Sequence, residues 1–177
     1  MKKLTVVGRG TAGCFSVLHY LYHTNLEIDW IYDPQIPPVP VGEGTDLRVP
    51  RELHRKLGGF FTHDLLAIGG TVKYGIQKDG WGGSGSYLNP FPVTSYGIHM
   101  DAGALQDYII QKISSNPRMN IIEGYVNDPE SLDSDYVMMA TGTPKTFGDN
   151  FIMADSIPVN AAYVTQCYWD YPRFGPT

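Results

Sequence analysis

Four short runs of apolar, β-branched or aromatic residues recur along the chain, and the apolar positions between them fall at helical intervals. Leu4-Thr5-Val6-Val7, Ile28–Tyr32, Met119–Val126 and Tyr136–Ala140 read as strands. Thr11 to Tyr22 reads as a helix, with Ala12, Phe15, Leu18, Leu21 and Tyr22 as its inward stripe. Val49 to Leu57 is a second helix, ended by Gly58-Gly59. A third runs from Ala102 to Ile113, capped by Asp101, and turns Leu105, Tyr108, Ile109 and Ile113 inward. The order strand, helix, strand, long insertion, helix, strand, strand implies an α/β fold. Its expected form is a doubly wound parallel sheet with the ligand at the carboxyl ends of the strands.

Between the second strand and the third helix the pattern lapses. Pro34 to Pro50 is proline-rich and too long for a plain connection, and ordered loops of that length are commonly functional. Gly80 to Pro92 is rich in glycine and aromatics, and reads either as a surface excursion or as a wall against a flat ligand. The expected organisation is one domain over residues 1–157 with a long insertion at 34–100. A second sheet, belonging to a substrate domain, begins within 158–177, where Ala162 to Trp169 alternates like a strand.

Composition narrows the classes. Hydrophobic content is ordinary and the net charge is −5, which argues against disorder and against a basic nucleic-acid surface. No apolar run approaches a membrane span, and the first one is too short for a signal-peptide core, so a cytoplasmic protein is expected. Cys14 and Cys167 read as two packed thiols, and the histidines lack ligand spacing, so no metal site is expected.

The candidate chemistry starts where the first strand ends. Gly8, Gly10 and Gly13 stand at G-x-G-x-x-G spacing between strand and helix. Gly8 permits the tight turn, Gly10 lets a diphosphate approach the backbone, and Gly13 lets the helix lie close on the strand. The free N–H groups of Thr11, Ala12 and Gly13 and the positive end of the helix then face the anion. Asp33 follows the second strand, where a carboxylate meets a ribose hydroxyl, although Asp-Pro is also an ordinary turn opener.

Six collinear segments carry a resemblance. Gly8-Arg9-Gly10-Thr11-Ala12-Gly13-Cys14 is similar to a G-G-G-T-A-G-W turn, and Gly42-Glu43-Gly44-Thr45 to a G-E-A-T strap. Thr71, Lys73, Ile76 and Trp81 match a T-x-K-x-x-I-x-x-x-x-W segment. Tyr87-Leu88-Asn89-Pro90-Phe91 approximates Y-x-H-P-F, Met100-Asp101-Ala102 approximates F-D-A, and Ala140-Thr141-Gly142 is an A-T-G turn. The chain thereby resembles the flavin-dependent halogenases of the tryptophan halogenase type.

That resemblance implies a Rossmann-like FAD-binding fold of the FAD-dependent monooxygenase type. It also implies an enzyme that uses FADH2 from a separate flavin reductase, with oxygen and chloride or bromide, to make hypohalous acid. The acid travels to a lysine, here Lys73, beside a small electron-rich aromatic such as an indole. Gly42, Glu43, Gly44, Thr45, Thr141 and Gly142 fall at flavin-side positions, with Glu43 orienting the strap or meeting the dipole of the Val49 helix. Neither nucleic acid nor membrane is an expected partner, and a homodimer is left open.

Most lysines are solvated surface charges. It is the flanking Thr71, Ile76 and Trp81 that single out Lys73, while Lys78, an odd number of residues on, would face the other way within one strand. Arg9, Cys14, Leu47 and Asn89 depart from the family pattern, and Asn127 to Ser134 is long enough only for a turn. The family's W-x-W-x-I-P signature and its second catalytic acid have no counterpart before Thr177. The expectation is therefore an N-terminal portion of such an enzyme or a truncated relative. Another FAD-dependent oxidoreductase and a non-catalytic FAD-binding module are the alternatives.

Overall fold

The computed structural model describes residues 1–37, 42–61, 63–80, 83 and 85–142, and every structural statement here concerns them. The expected strand at 162–169, the 158–177 segment, Cys167 and Trp81 lie outside the described residues.

Four strands form one parallel sheet: β1 (Lys3–Val7), β2 (Glu27–Tyr32), β7 (Met119–Glu123) and β8 (Tyr136–Met139), in the order β7-β2-β1-β8. Val6 pairs with Trp30 on one side and Met138 on the other, and Trp30 pairs in turn with Ile121. The chain leaves β1 toward β2 and β7, then returns to β8 on the far side. The strand order thus reverses beside β1, and its carboxyl end is the switch point where open α/β sheets bind ligands. This is the doubly wound, Rossmann-like arrangement expected from the strand and helix pattern.

Helices α1 (Thr11–His23) and α4 (Ala102–Ile113) pack together and against this sheet. Val6, Ile28 and Trp30 meet Val17, Leu18, Leu105 and Ile109 in the core. Asp101 caps α4 as expected, accepting from the Ala104 amide at 2.8 Å, and the stripe Leu105, Tyr108, Ile109 and Ile113 is buried.

The rotation of α1 differs from the expected one. Gly13, Cys14, Val17, Leu18 and Leu21 are buried, whereas Ala12 and Tyr22 are exposed. Gly13 explains the difference: it must lie against β1, and that contact sets the face of the whole helix. At the other end of α1, Arg118 donates to the carbonyls of Leu21, Thr24 and Leu26, so its guanidinium caps the helix and anchors the start of β2.

The insertion is more ordered than its composition suggests. It contains α2 (Val49–Lys56), α3 (Asp64–Ala67) and two antiparallel pairs. In one pair β3 (Thr71–Lys73) runs beside β6 (Gly97–His99), and in the other β4 (Gly75–Asp79) runs beside β5 (Ser86–Pro90). Lys73 and Lys78 therefore sit on different strands in different sheets, so an argument from opposite faces of one strand does not apply to them. Part of the Gly80–Pro92 loop is the exposed strand β5. Asn127 to Ser134 holds a single 3-10 turn, Pro129–Ser131.

A buried carboxylate ties the insertion to α4. Asp64 accepts from the Tyr108 hydroxyl and from the Phe61 amide, each at 2.7 Å. Those two bonds hold its carboxyl below the usual carboxylate range, and burial together with the same bond raises the Tyr108 phenol. A depressed folded-state value gives stability that is present above the unfolded value near 3.9 and is lost as pH falls through the folded one. Tyr108→Phe is expected to cost about 1.5–3 kcal/mol at pH 7. It should also flatten the loss of stability below about pH 4 in urea melts; an unchanged acid limb would remove Asp64 as its source.

Candidate functional site

The glycine turn is built by close approach. Gly8 has φ of +109°, and a Cβ there would lie 2.5 Å from the Ala140 carbonyl oxygen, so it serves both the turn and the contact with the β8 end. A Cβ on Gly13 would lie 2.0 Å from the Gly8 carbonyl oxygen. The indole Nε1 of Trp30 donates to that same oxygen at 2.8 Å and fixes the turn from β2.

Gly10 precedes α1 in an extended conformation with no side-chain cap, and the first turn of the helix has no acidic residue. The first intrahelical bond shown is Cys14 N to Gly10 O at 3.0 Å, which leaves the amides of Thr11, Ala12 and Gly13 for a ligand. Cys14 donates its Sγ–H to the Arg9 carbonyl, and burial pushes its thiol up to about 12, so it is a packed and unreactive side chain.

Asp33 stands at the carboxyl end of β2, half-buried, with Oδ1 accepting from the Gln35 amide at 2.8 Å. This is the turn role that Asp-Pro suggests, and the carboxylate keeps further acceptor capacity for a ribose hydroxyl. Thr141 and Gly142 follow β8 in exposed positions, and Gly142 has φ of +85°.

The second cluster hangs on β6. Thr45 N donates to Ile98 O at 2.9 Å, and Met100 N donates to Glu43 O at 2.8 Å. Gly44 pairs with His99 in an antiparallel bridge, so the strap at 42–45 lies along β6 on the edge away from β3. Ile98 N also donates to the buried Thr45 Oγ1 at 2.9 Å.

Lys73 is opposite Gly97 on β6. The missing side chain at 97 lets the lysine cross that strand, and its Nζ comes 3.4 Å from the Thr45 carbonyl and 5.7 Å from the centroid of the Phe91 ring. A Cβ at Gly44 would sit 3.6 Å from Lys73 Nζ and 3.4 Å from His99 Nδ1. Strap, lysine and imidazole thus share one small volume.

His99 carries no sequence signal, because its neighbours come from distant segments. Burial, and then the Lys73 ammonium, push its imidazole below the usual range, while the Glu43 carboxylate pulls the other way. It is therefore a neutral donor and acceptor near pH 7. The Glu43 carboxylate has no hydrogen-bond partner among the described residues, and the start of α2 is served by Asp46, whose Oδ1 accepts from the Arg48 and Val49 amides. Gly42 has φ of +89°, as an approach to the strap through a tight bend requires.

The glycine turn meets one test for a dinucleotide. Gly8 and Gly13 hold the strand-to-helix turn tight by close backbone approach, and an uncapped thirteen-residue helix presents the free amides of its first turn at the switch point.

Comparison with known proteins agrees with this geometry. No curated protein sequence matches the chain. Among solved structures, a tryptophan C-6 flavin-dependent halogenase (chlorinase) from taromycin biosynthesis superposes with a TM-score of 0.67 at 16% identity, over 80% of this chain and 43% of that one. A flavin-dependent halogenase from Xanthomonas campestris gives 0.62 at 18% identity, over 72% and 36%. A probable FAD-dependent monooxygenase from Pseudomonas aeruginosa gives 0.52 at 14%, over 69% and 32%. At such identities these likenesses establish the fold, and the chain spans less than half the length of each of these proteins. The family model described as tryptophan halogenase matches residues 3–149, which takes in the glycine turn, the strap, Lys73 and the A-T-G turn, and the chain belongs to that family.

Proposed function

We propose that this chain is the FAD-binding portion of a flavin-dependent halogenase that halogenates an electron-rich, indole-like aromatic. Residues 1–157 form its cofactor domain and 158–177 open its substrate domain. The observation that carries this reading is the contact of Lys73 Nζ with the Thr45 carbonyl, since it joins the lysine to the strap.

The amides of Gly10, Thr11, Ala12 and Gly13, brought to the switch point by the tight turn at Gly8, would hold the FAD diphosphate, and Asp33 would take the adenosine ribose. Thr141, Gly142 and the strap residues Gly42, Glu43, Gly44 and Thr45 lie on the flavin side. When bound, reduced FAD from a separate reductase would supply two of the four electrons that oxygen accepts, with chloride or bromide giving the other two as hypohalous acid and water form. Beyond the strap, the Lys73 ammonium donates a hydrogen bond to the oxygen of HOX and stabilises the departing hydroxide. The aromatic carbon takes the halogen, its ring proton leaves, and the products are the halogenated ring and water. Phe91 beside Lys73 supplies an apolar wall for the ring.

The test is to incubate a protein that carries this portion together with a substrate domain with FAD, a flavin reductase, NADH, oxygen and bromide, and to look for brominated indole by mass spectrometry. Lys73→Ala is expected to abolish product while leaving FAD binding intact. Product that survives the substitution would remove the lysine from the mechanism. A protein that holds FAD without giving halogenated product would favour another FAD-dependent oxidoreductase, and a 177-residue chain that never binds FAD would sink the cofactor reading.

A further inference from the structure

Arg9 stands inside the glycine turn, where the family pattern has glycine, and its side chain crosses to α4. Nη2 lies 2.8 Å from Asp107 Oδ1, and the guanidinium carbon is 5.5 Å from the centroid of the Tyr32 ring at the carboxyl end of β2. Nε is buried and has no hydrogen-bond partner among the described residues. One position earlier on α4, Gln106 is 1% exposed. Its Nε2 donates to Thr11 Oγ1 at 3.2 Å, and its Oε1 is likewise buried without a partner. Of these two atoms Gln106 Oε1 is an acceptor and asks for a donor. The Arg9 Nε–H is a buried donor rooted in the turn itself, and it calls for an explanation, because buried donors are nearly always paired.

The ion pair with Asp107 does not supply it. The Asp107 side chain is 68% exposed, and a pair that open to solvent adds little stability. The chemistry of the fork says more. Nε–H and one Nη2–H of a guanidinium point the same way and can take both oxygens of an oxyanion, so Asp107, on Nη2 alone, fills half of that edge. The helix end beside it has neither a side-chain cap nor an acidic residue in its first turn.

We propose that Arg9 is an anion ligand of the dinucleotide site that rests on Asp107 and transfers its Nε/Nη2 edge to the diphosphate of the incoming dinucleotide. The transfer satisfies the orphaned Nε and leaves Asp107 to solvent, which its exposure already permits. Arg9 then adds a side-chain contact to a turn that otherwise holds phosphate by backbone alone. The proposal rests on the reading of the glycine turn as a dinucleotide site.

Its test is a titration with oxidised FAD, followed by flavin fluorescence at low and high salt, on the parent chain, Arg9→Gln, Arg9→Lys, Asp107→Asn and the Arg9→Gln/Asp107→Asn double variant. Arg9→Gln is expected to weaken binding roughly 10- to 100-fold and to lower its salt dependence, with Arg9→Lys between the two. Asp107→Asn, a change at an exposed position that should not disturb folding, is expected to tighten binding about two- to fivefold in the parent and not in the Arg9→Gln background.

Weaker binding by Asp107→Asn would make the pair a structural clamp and overturn the proposal. So would an equal gain in both backgrounds, or unchanged affinity in Arg9→Gln. A parent chain that binds no FAD would overturn the dinucleotide reading itself, whatever Arg9 does.

Discussion

Gly13→Ala is expected to cost at least about 4 kcal/mol and to remove the cooperative urea transition, although alanine is the better helix former at an ordinary position. The added Cβ would fall 2.0 Å from the oxygen and 2.9 Å from the carbon of the Gly8 carbonyl, which are backbone atoms and cannot rotate away. Gly8 cannot retreat either. Its amide donates to Ile31 O at 2.8 Å, its carbonyl accepts from Trp30, and its α-carbon abuts Ala140. Helix α1 would have to lift from β1, taking Val17, Leu18 and Leu21 out of the core with it. A domain of this size has about 5–15 kcal/mol to lose. A urea midpoint within about 0.5 kcal/mol of the parent would refute the close-approach argument. Gly44→Ala is the matched control: its φ is not positive, the new Cβ meets only ordinary contacts, and stability should stay level or rise by about 0.4–1 kcal/mol.

Arg118→Met is expected to cost about 2–4 kcal/mol while keeping most of the apolar stem. The guanidinium serves three carbonyls at once, those of Leu21, Thr24 and Leu26, and its own backbone joins the sheet by accepting from the Ile28 amide at 2.8 Å. One residue therefore closes the negative end of α1, the approach to β2 and the entry to β7. Methionine leaves those carbonyls to whatever water can reach them, in a region where Leu21 and Ile28 are buried. Urea unfolding gives the total loss, and hydrogen exchange should show it first in the last turn of α1. A loss below about 0.5 kcal/mol would mean that water replaces the guanidinium without penalty.

What could be read from the sequence was local. The glycine turn spans six residues, so its spacing alone located strand, turn and helix, and Asp101 and the α4 stripe were legible for the same reason. The face of α1 was not, because a stripe of apolar residues through Ala12 and Tyr22 competes with the one that the close contact at Gly13 imposes, and the contact wins. The second cluster was hidden by distance along the chain. Gly44 meets His99, and Lys73 meets Gly97, through a three-residue strand too short to show a period. His99 and the Arg9–Asp107 pair were invisible until the insertion and α4 came to lie beside residues far from them in sequence. Lys73 could be singled out only by its flanking pattern, and its crossing of β6 depends on a glycine no motif had marked.

The place of β1 between β2 and β8 has a consequence for synthesis. Its first neighbour is made almost at once, but its other flank is closed by residues such as Asp135, whose carboxylate takes the Lys3 amide across 132 intervening steps of chain. At about 5–20 residues per second, the N-terminal strand waits roughly 7 to 26 s on the ribosome with one edge bare. During that interval the backbone of Leu4 to Val7 is an open template for any passing strand. Chaperone capture of the nascent chain should therefore peak before residue 135 emerges and fall sharply once β8 has docked.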